Sequence, residues 1–275
     1  MEIKNLNVSA ILCVYNEIEK ISIIKKNINN HPFSELIIVD GGSNDGTFEK
    51  LSTYKNILLY RLENAGLLSQ RLFGINRSSE SLIFMFNADD DITSLNMKSM
   101  VSELSRLKAD GLQIRVLSKN LDKYWTSAWS EYFDLICPIN IKLKCLGRPC
   151  LTYKRLFDIG LVDENIFNED TYLRYEQELR YGELSYFSSE QSIFREMIEG
   201  IRLNITQFIR YGQSDMVIAE NNLKIFFDLL YHSLIRISII RSIKLMLKGK
   251  FKYIFFTIIM GLFRGLSLLY FKIKK

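Results

Sequence analysis

The chain is poor in the side chains that most often build imidazole and thiolate sites. Its 275 residues include two histidines and four cysteines. The cysteines (Cys13, Cys137, Cys145 and Cys150) form no Cys-x-x-Cys pair, which argues against both a zinc site and a disulfide framework and suits a reducing cytoplasm. His31 falls in a loop before the second apolar run and His232 near the C-terminus, so histidine is a poor candidate for acid–base chemistry. Neither G-x-G-x-x-G nor G-x-x-x-x-G-K-[ST] occurs, nor any internal repeat or low-complexity linker. The N-terminal "MEIKNLNVSAILCVYNE" has a seven-residue apolar core and an acid straight after the Met, the pattern of a strand and not of a signal peptide.

What is present describes a folded chain: 48% hydrophobic and 24% charged residues, enough for one large domain or two small ones. The net charge of +5 is unevenly spread. Residues 221–275 hold eleven Lys and Arg against one acid, Asp228, whereas the first 220 hold twenty-five bases against thirty acids. Nucleic acid would explain the bases of the tail but not the Ile, Leu and Phe between them; an anionic membrane surface explains both.

The first hundred residues alternate apolar runs, "VSAILCV" (8–14), "SELIIVD" (34–40), "NILLYRL" (56–62) and "SLIFMFN" (81–87), with segments near helical spacing. That alternation predicts an α/β fold with a mostly parallel sheet covered on both faces. Ligands bind such sheets beyond the carboxyl ends of the strands, which places Tyr15-Asn16, Asp40-Gly41-Gly42 and Asn87-Ala88-Asp89 along one rim. Further on, helices are expected over 94–107, 168–182 and 196–212, and a strand at "GLQIRVL". Expected boundaries are a nucleotide-binding half (1–110), an acceptor-side half (111–220) and a helical tail (221–275).

Three stretches carry candidate chemistry. "NADDD" puts Asp89, Asp90 and Asp91 together at the end of an apolar run, either as a solvated loop or to hold a cation. "VDGGSNDGT" (39–47) is a glycine-rich turn after a strand; Asp40 and Asp45 would repel a phosphate against it, so Asp40 suits a base or sugar edge. "NEDTYLR" starts a helix with Glu169 and Asp170; the alternative reading is plain first-turn acids favoured by the helix dipole.

Together, "VSAILCVYNE", "ELIIVDGGSNDGT", "RLFGINRSSESLIFMFNADD" and "GLVDENIFNEDTYLRYEQELR" resemble, in order and spacing, the family 2 glycosyltransferases of GT-A fold, a Rossmann-like architecture. The resemblance covers about residues 7–215. It implies transfer of a sugar from a nucleotide-diphosphate donor, with inversion, to a lipid-linked or growing saccharide of the cell surface. Tyr15, Asn16, Glu17, Asp40, Gly42, Asp45, Arg71, Asn87 and Ala88 would then bind the donor, with Tyr15 against the nucleobase and Arg71 at the diphosphate. Asp89 would hold Mn or Mg, with Asp91 as the other acid of a register shifted by two. Asp170, paired with Glu169, would be the base. Asn87 and Cys13 depart from the family pattern, which keeps a non-catalytic binding module in view; a nucleotidyltransferase is the other rival, though "CVYNEIEK" lacks the glycine-rich basic loop such enzymes carry.

"TQFIRYG" (206–212) resembles the family's Q-x-x-R-W element with Tyr211 for Trp, or is a helix ending at Gly212. Trp125 and Trp129 are either an acceptor-stacking face or core. In the tail, "YIFFTIIMGLFRGLSLLY" (253–270) is just long enough to span a bilayer, with Arg264 as its charge; peripheral attachment to the inner face of the membrane is favoured over a span, and a helical pair capping the globular part is the alternative.

Overall fold

The computed structural model describes residues 7–159, 166 and 168–274. They form two compact units, an α/β unit of residues 7–117, 137–159 and 173–195 and a helical unit of 118–136, 166, 168–172 and 196–274. The tail does not stand apart from residues 111–220: the aromatic helix at 124–136 and the helix after 200 bury their apolar faces with it.

The α/β unit is built on strands β1 (Val8–Val14), β2 (Glu35–Asp40), β3 (Leu58–Arg61) and β4 (Leu82–Phe86), which lie parallel in the order β3-β2-β1-β4. All seven residues of β1 are buried, as are five of six in β2, so these central strands read as continuous apolar runs. Burying each such side chain contributes about 1.5–3 kcal/mol, which makes them the core of the unit. β3, half-exposed, is the edge strand. Beyond β4 the sheet continues as β8-β6-β9-β5, formed by β5 (Asp90–Asp91), β6 (Gly111–Ser118), β8 (Cys150–Tyr153) and β9 (Tyr186–Arg195), with β7 (Lys142–Leu143) also paired to β9. The β4–β8, β8–β6 and β9–β5 pairings are antiparallel, so the sheet is mixed. Helices α1 (Ile21–Asn30), α2 (Thr47–Leu51), α3 (Leu67–Arg77) and α4 (Met97–Arg106) connect or flank the strands.

The helical unit contains α5 (Tyr124–Ile136), the start of α6 (Glu169–Tyr181), α7 (Ile201–Ala219), α8 (Leu223–Tyr231), a π-helical stretch (His232–Arg241), α9 (Ser242–Leu247) and α10 (Ile254–Lys274). Trp125, Trp129 and Tyr132 recur at helical spacing on α5 and pack against Phe208 of α7 and Phe256 of α10. The Trp129 and Phe256 rings meet edge-on with centroids 5.0 Å apart, and the indole N–H donates to Asn204 Oδ1 at 2.7 Å. Both tryptophans are therefore core, the arrangement expected of aromatic rings whose polar atom finds a buried partner.

α7 runs through Gly212 instead of stopping there, and the reason lies in α10. A Cβ on Gly212 would sit 2.3 Å from the Arg264 carbonyl oxygen and 2.6 Å from Ser267 Cβ, so the glycine lets the two helices touch. We expect Gly212→Ala to destabilise the helical unit by about 1–3 kcal/mol through overpacking, against a gain of about 1 kcal/mol in helix propensity. A lower urea midpoint with an unchanged slope checks it; an unchanged or raised midpoint contradicts the close approach.

Candidate active site

The carboxyl ends of the parallel strands form one rim because the register aligns them: Val14 pairs with Asp40, and Leu12 with Phe86. The loops that follow β1 and β2 are laced together. Asn16 N–H donates to Ser43 Oγ, Asn44 N–H to Asn16 Oδ1, and Glu17 N–H to Thr47 Oγ1, each at 2.9 Å. Asp45 accepts from the Ile18 and Thr47 amides and the Thr47 hydroxyl. Desolvation is the largest single influence and works to raise its carboxyl, but these hydrogen bonds together outweigh it and hold the group below its usual range. Its carboxylate thus braces the loop after β1 against the loop after β2.

Asp40 is different. It is fully buried, and its Oδ1 accepts from the amides of Gly42 and Ser43 at 2.9 and 2.8 Å. That turn needs the left-handed backbone of Gly42, φ +92°. The second carboxylate oxygen has no hydrogen-bond partner among the described residues, which is costly unless a ligand donates to it. Tyr15, next to it on the rim, is 57% exposed. Glu17 turns to Lys20 in a 2.9 Å ion pair.

Around the three acids the structure separates roles that the sequence leaves merged. Arg195, at the end of β9, grips Asp90 with two hydrogen bonds of 2.7 and 3.1 Å, and Asp90 also accepts from the Asn87 amide, closing the turn through Ala88. Burial pushes the Asp90 carboxyl up, Arg195 opposes this and Asp89 adds to it; the net shift is upward. Asp91 pairs with Lys26 of α1 at 2.9 Å and accepts from Thr93. Asp91, expected as the other acid of a shifted metal pair, is thus engaged on α1, while its neighbour Asp90 is engaged on β9. Asp89 is left, one-quarter exposed, with Oδ1 lacking a hydrogen bond and 3.6 Å from Arg195 Nε. Arg71 of α3, 3% exposed, donates to Asn87 Oδ1 at 2.7 Å.

Among the described residues no group of three or more His, Cys, Asp or Glu could hold a metal. A cation here would draw on the single carboxylate of Asp89, which fits a Mg-type ion that completes its shell with phosphate oxygens and water.

In the helical unit, Glu169 is buried and Asp170 half-buried at the start of α6. Asn168, just before them, is held by α7: its N–H donates to Ser214 Oγ at 2.7 Å and its amide nitrogen to Asp215 Oδ1 at 2.9 Å. Asp215, fully buried, is in turn gripped by Arg264 of α10 at 2.6 and 2.9 Å. Burial raises the Tyr211 hydroxyl; Gln207, which donates to it at 2.7 Å, and Arg264 oppose that shift, and the nearby charge of Asp170 adds to it.

Sequence reasoning missed Arg195, Asn168, Asp215 and the pairing of Arg264. Only the alternating "YFSSEQSIFR" around Arg195 carried a readable strand signal.

A family model for "Glycosyl transferase family 2" matches residues 9–160, more than half of the chain. The chain belongs to that family. A cholesterol galactosyltransferase of Borreliella burgdorferi is 26% identical over 145 residues, which is 50% of this chain and 36% of that protein, so the match spans little more than a third of its length. Crystal structures of S. aureus TarS residues 1–349, alone and in complex with UDP-GlcNAc, share the fold with a TM-score of 0.54 at 13% and 14% identity. The first covers 98% of this chain and the second 97%, and each is itself covered over 92% of its length.

Arg195→Met should leave Asp90 buried without its counter-charge and destabilise this family 2 enzyme by about 3–5 kcal/mol. The Asp90 pKa would then rise further above its unfolded value. The folded state would bind the extra proton, so the penalty is absent below the unfolded carboxylate pKa and grows as pH climbs through the window up to the folded one. Urea titrations of the variant at pH 4.5 and 7.5 check this; a deficit larger at the lower pH contradicts it.

Proposed function

We propose that this chain moves a sugar from a nucleoside-diphosphate donor to a lipid-linked or growing saccharide in cell-surface polysaccharide assembly, with inversion, at the cytoplasmic face of the membrane. The observation that carries the donor half is Asp40, buried at the strand end with one carboxylate oxygen unpartnered. A nucleobase or ribose edge supplies the missing donor, Tyr15 offers a ring for the base, and Arg71 a cation for the diphosphate. Asp89 is the residue that would hold Mn or Mg, and the chemistry such an ion supplies when bound is neutralisation of charge on the departing diphosphate. Asp170, at the start of α6, is the base. Its carboxylate takes the acceptor hydroxyl proton while that oxygen bonds to the anomeric carbon, and the bond to the diphosphate breaks with its electron pair leaving on the nucleotide.

Asp89→Ala should remove the Mn dependence of UDP affinity in calorimetry and abolish nucleotide release from UDP-N-acetylglucosamine and UDP-galactose with total lipid extract or cholesterol as acceptor. Asp91→Ala should cost far less. Indispensable Asp91 with dispensable Asp89 would overturn the assignment, and release of no nucleotide from any donor would favour a binding module.

The membrane half rests on α10 and its neighbours. By length and composition Phe251–Lys274 could cross a bilayer, but 44% of its most apolar window is buried inside the protein. Its other side carries a row of exposed apolar residues at helical spacing: Phe255, Ile258, Leu262, Leu266, Tyr270 and Ile273. Leu247 and Phe251 are exposed just before it, among exposed Lys244, Lys248 and Lys252. Apolar rows with bases beside them suit an anionic bilayer surface, each base near it contributing about 1 kcal/mol. Full-length protein should float with phosphatidylglycerol vesicles and much less with phosphatidylcholine, and Leu262→Glu with Leu266→Glu should abolish flotation while the fold persists. Undiminished flotation of that double variant would sink the docking face.

A further inference from the structure

The buried pair Arg264–Asp215 is more than a helix clamp. Asp215 spends one oxygen, Oδ1, on both the Arg264 guanidinium and the side-chain amide of Asn168, at 2.9 Å each, and Oδ2 on Arg264 Nε at 2.6 Å. Ser214, its neighbour on α7, accepts from the Asn168 backbone amide at 2.7 Å. Asn168 is therefore held at both its backbone and its side chain, and its own carbonyl oxygen accepts from the amides of Thr171 and Tyr172, which closes the first turn of α6 around Glu169 and Asp170. Tyr211, one turn before Asp215 on α7, lies with its ring 5.6 Å from the Arg264 guanidinium carbon and within reach of the Asp170 charge. Each link is polar, and Asp215, Ser214 and Arg264 are buried.

We infer that Asn168, Asp215 and Arg264 are positioning residues for Asp170, so that the C-terminal helix is part of the catalytic apparatus. This rests on the reading of Asp170 as the base. A carboxylate that must meet an acceptor hydroxyl at hydrogen-bond distance loses rate steeply when its backbone shifts by about an ångström. A residue held at its backbone by the Ser214 hydroxyl and at its side chain by a buried carboxylate that is itself doubly hydrogen-bonded to an arginine is a suitable anchor against that shift. It also accounts for a buried arginine in a helix otherwise rich in Leu, Ile and Phe.

The test uses the full chain, with UDP-galactose or UDP-N-acetylglucosamine, whichever supports release, and total lipid extract as acceptor at saturation. Asn168→Ala sits at a half-buried helix start and should fold. Its kcat should fall by about tenfold or more while the donor KM and calorimetric UDP affinity stay within twofold. Because Asp215→Asn alone would strand a buried guanidinium, Asp215→Asn is combined with Arg264→Met, and this pair should show the same kcat loss. Adding Asn168→Ala to it should cost little more, since residues acting through one chain of contacts do not add. A wild-type kcat in Asn168→Ala, or losses that multiply, would overturn the inference. Asp170→Asn is measured beside them: if it turns over normally, the base assignment fails; if it is inactive while Asn168→Ala is unaffected, only the positioning inference fails.

Discussion

Three adjacent carboxylates at the end of a buried strand are the main electrostatic problem of the α/β unit, and the Arg195–Asp90 contact solves it. A guanidinium that meets a fully buried carboxylate with two hydrogen bonds removes the group most penalised by burial. It ties β5 to the end of β9, and through the Asn87 amide it shapes the turn that presents Asp89. Lys26 and Thr93 take up Asp91. What remains is one acid, partly exposed, beside an arginine. Two of the three acids thus hold the rim, and the third keeps an oxygen without a hydrogen bond.

The strands, the rim and the family were legible in the sequence because their signals are local. "AILCV" and "LIIV" are continuous apolar runs, which a strand covered on both faces requires, and the polar residues after them then lie at its carboxyl end. The fates of individual carboxylates were not legible. Asp45 and Asp40 stand five residues apart in one turn, yet one is saturated by amides and a hydroxyl and the other keeps an oxygen unpartnered. Which of them keeps an oxygen unpartnered depends on Ile18 and Thr47, and no spacing rule supplies that.

The helical unit was harder to read for a related reason. α5, α7 and α10 each look amphipathic or apolar alone, and their shared core joins residues more than a hundred positions apart, as in Trp129 with Phe256. Arg264 shows the difficulty best. As a lone charge in an apolar run it counts against membrane insertion; its counter-ion lies 49 residues away on another helix, where periodicity shows only one more polar position.

That counter-ion also explains how α10 selects a face. Phe255 and Phe256, Ile258 and Ile259, and Leu266 and Leu268 are distributed so that apolar contact alone barely distinguishes one rotation of the helix from another. A single buried arginine does distinguish them. Turned by one residue, about 100°, Arg264 would lose Asp215 and leave a buried carboxylate without its charge partner, at about 3–5 kcal/mol, more than the burial of any one of these side chains returns. The ion pair therefore fixes which row packs on α7 and which row, from Phe255 to Ile273, remains exposed. The same contact sets the rotation of the helix and holds the segment that carries Asp170, so a change at Arg264 would alter both the surface this helix offers and the start of α6.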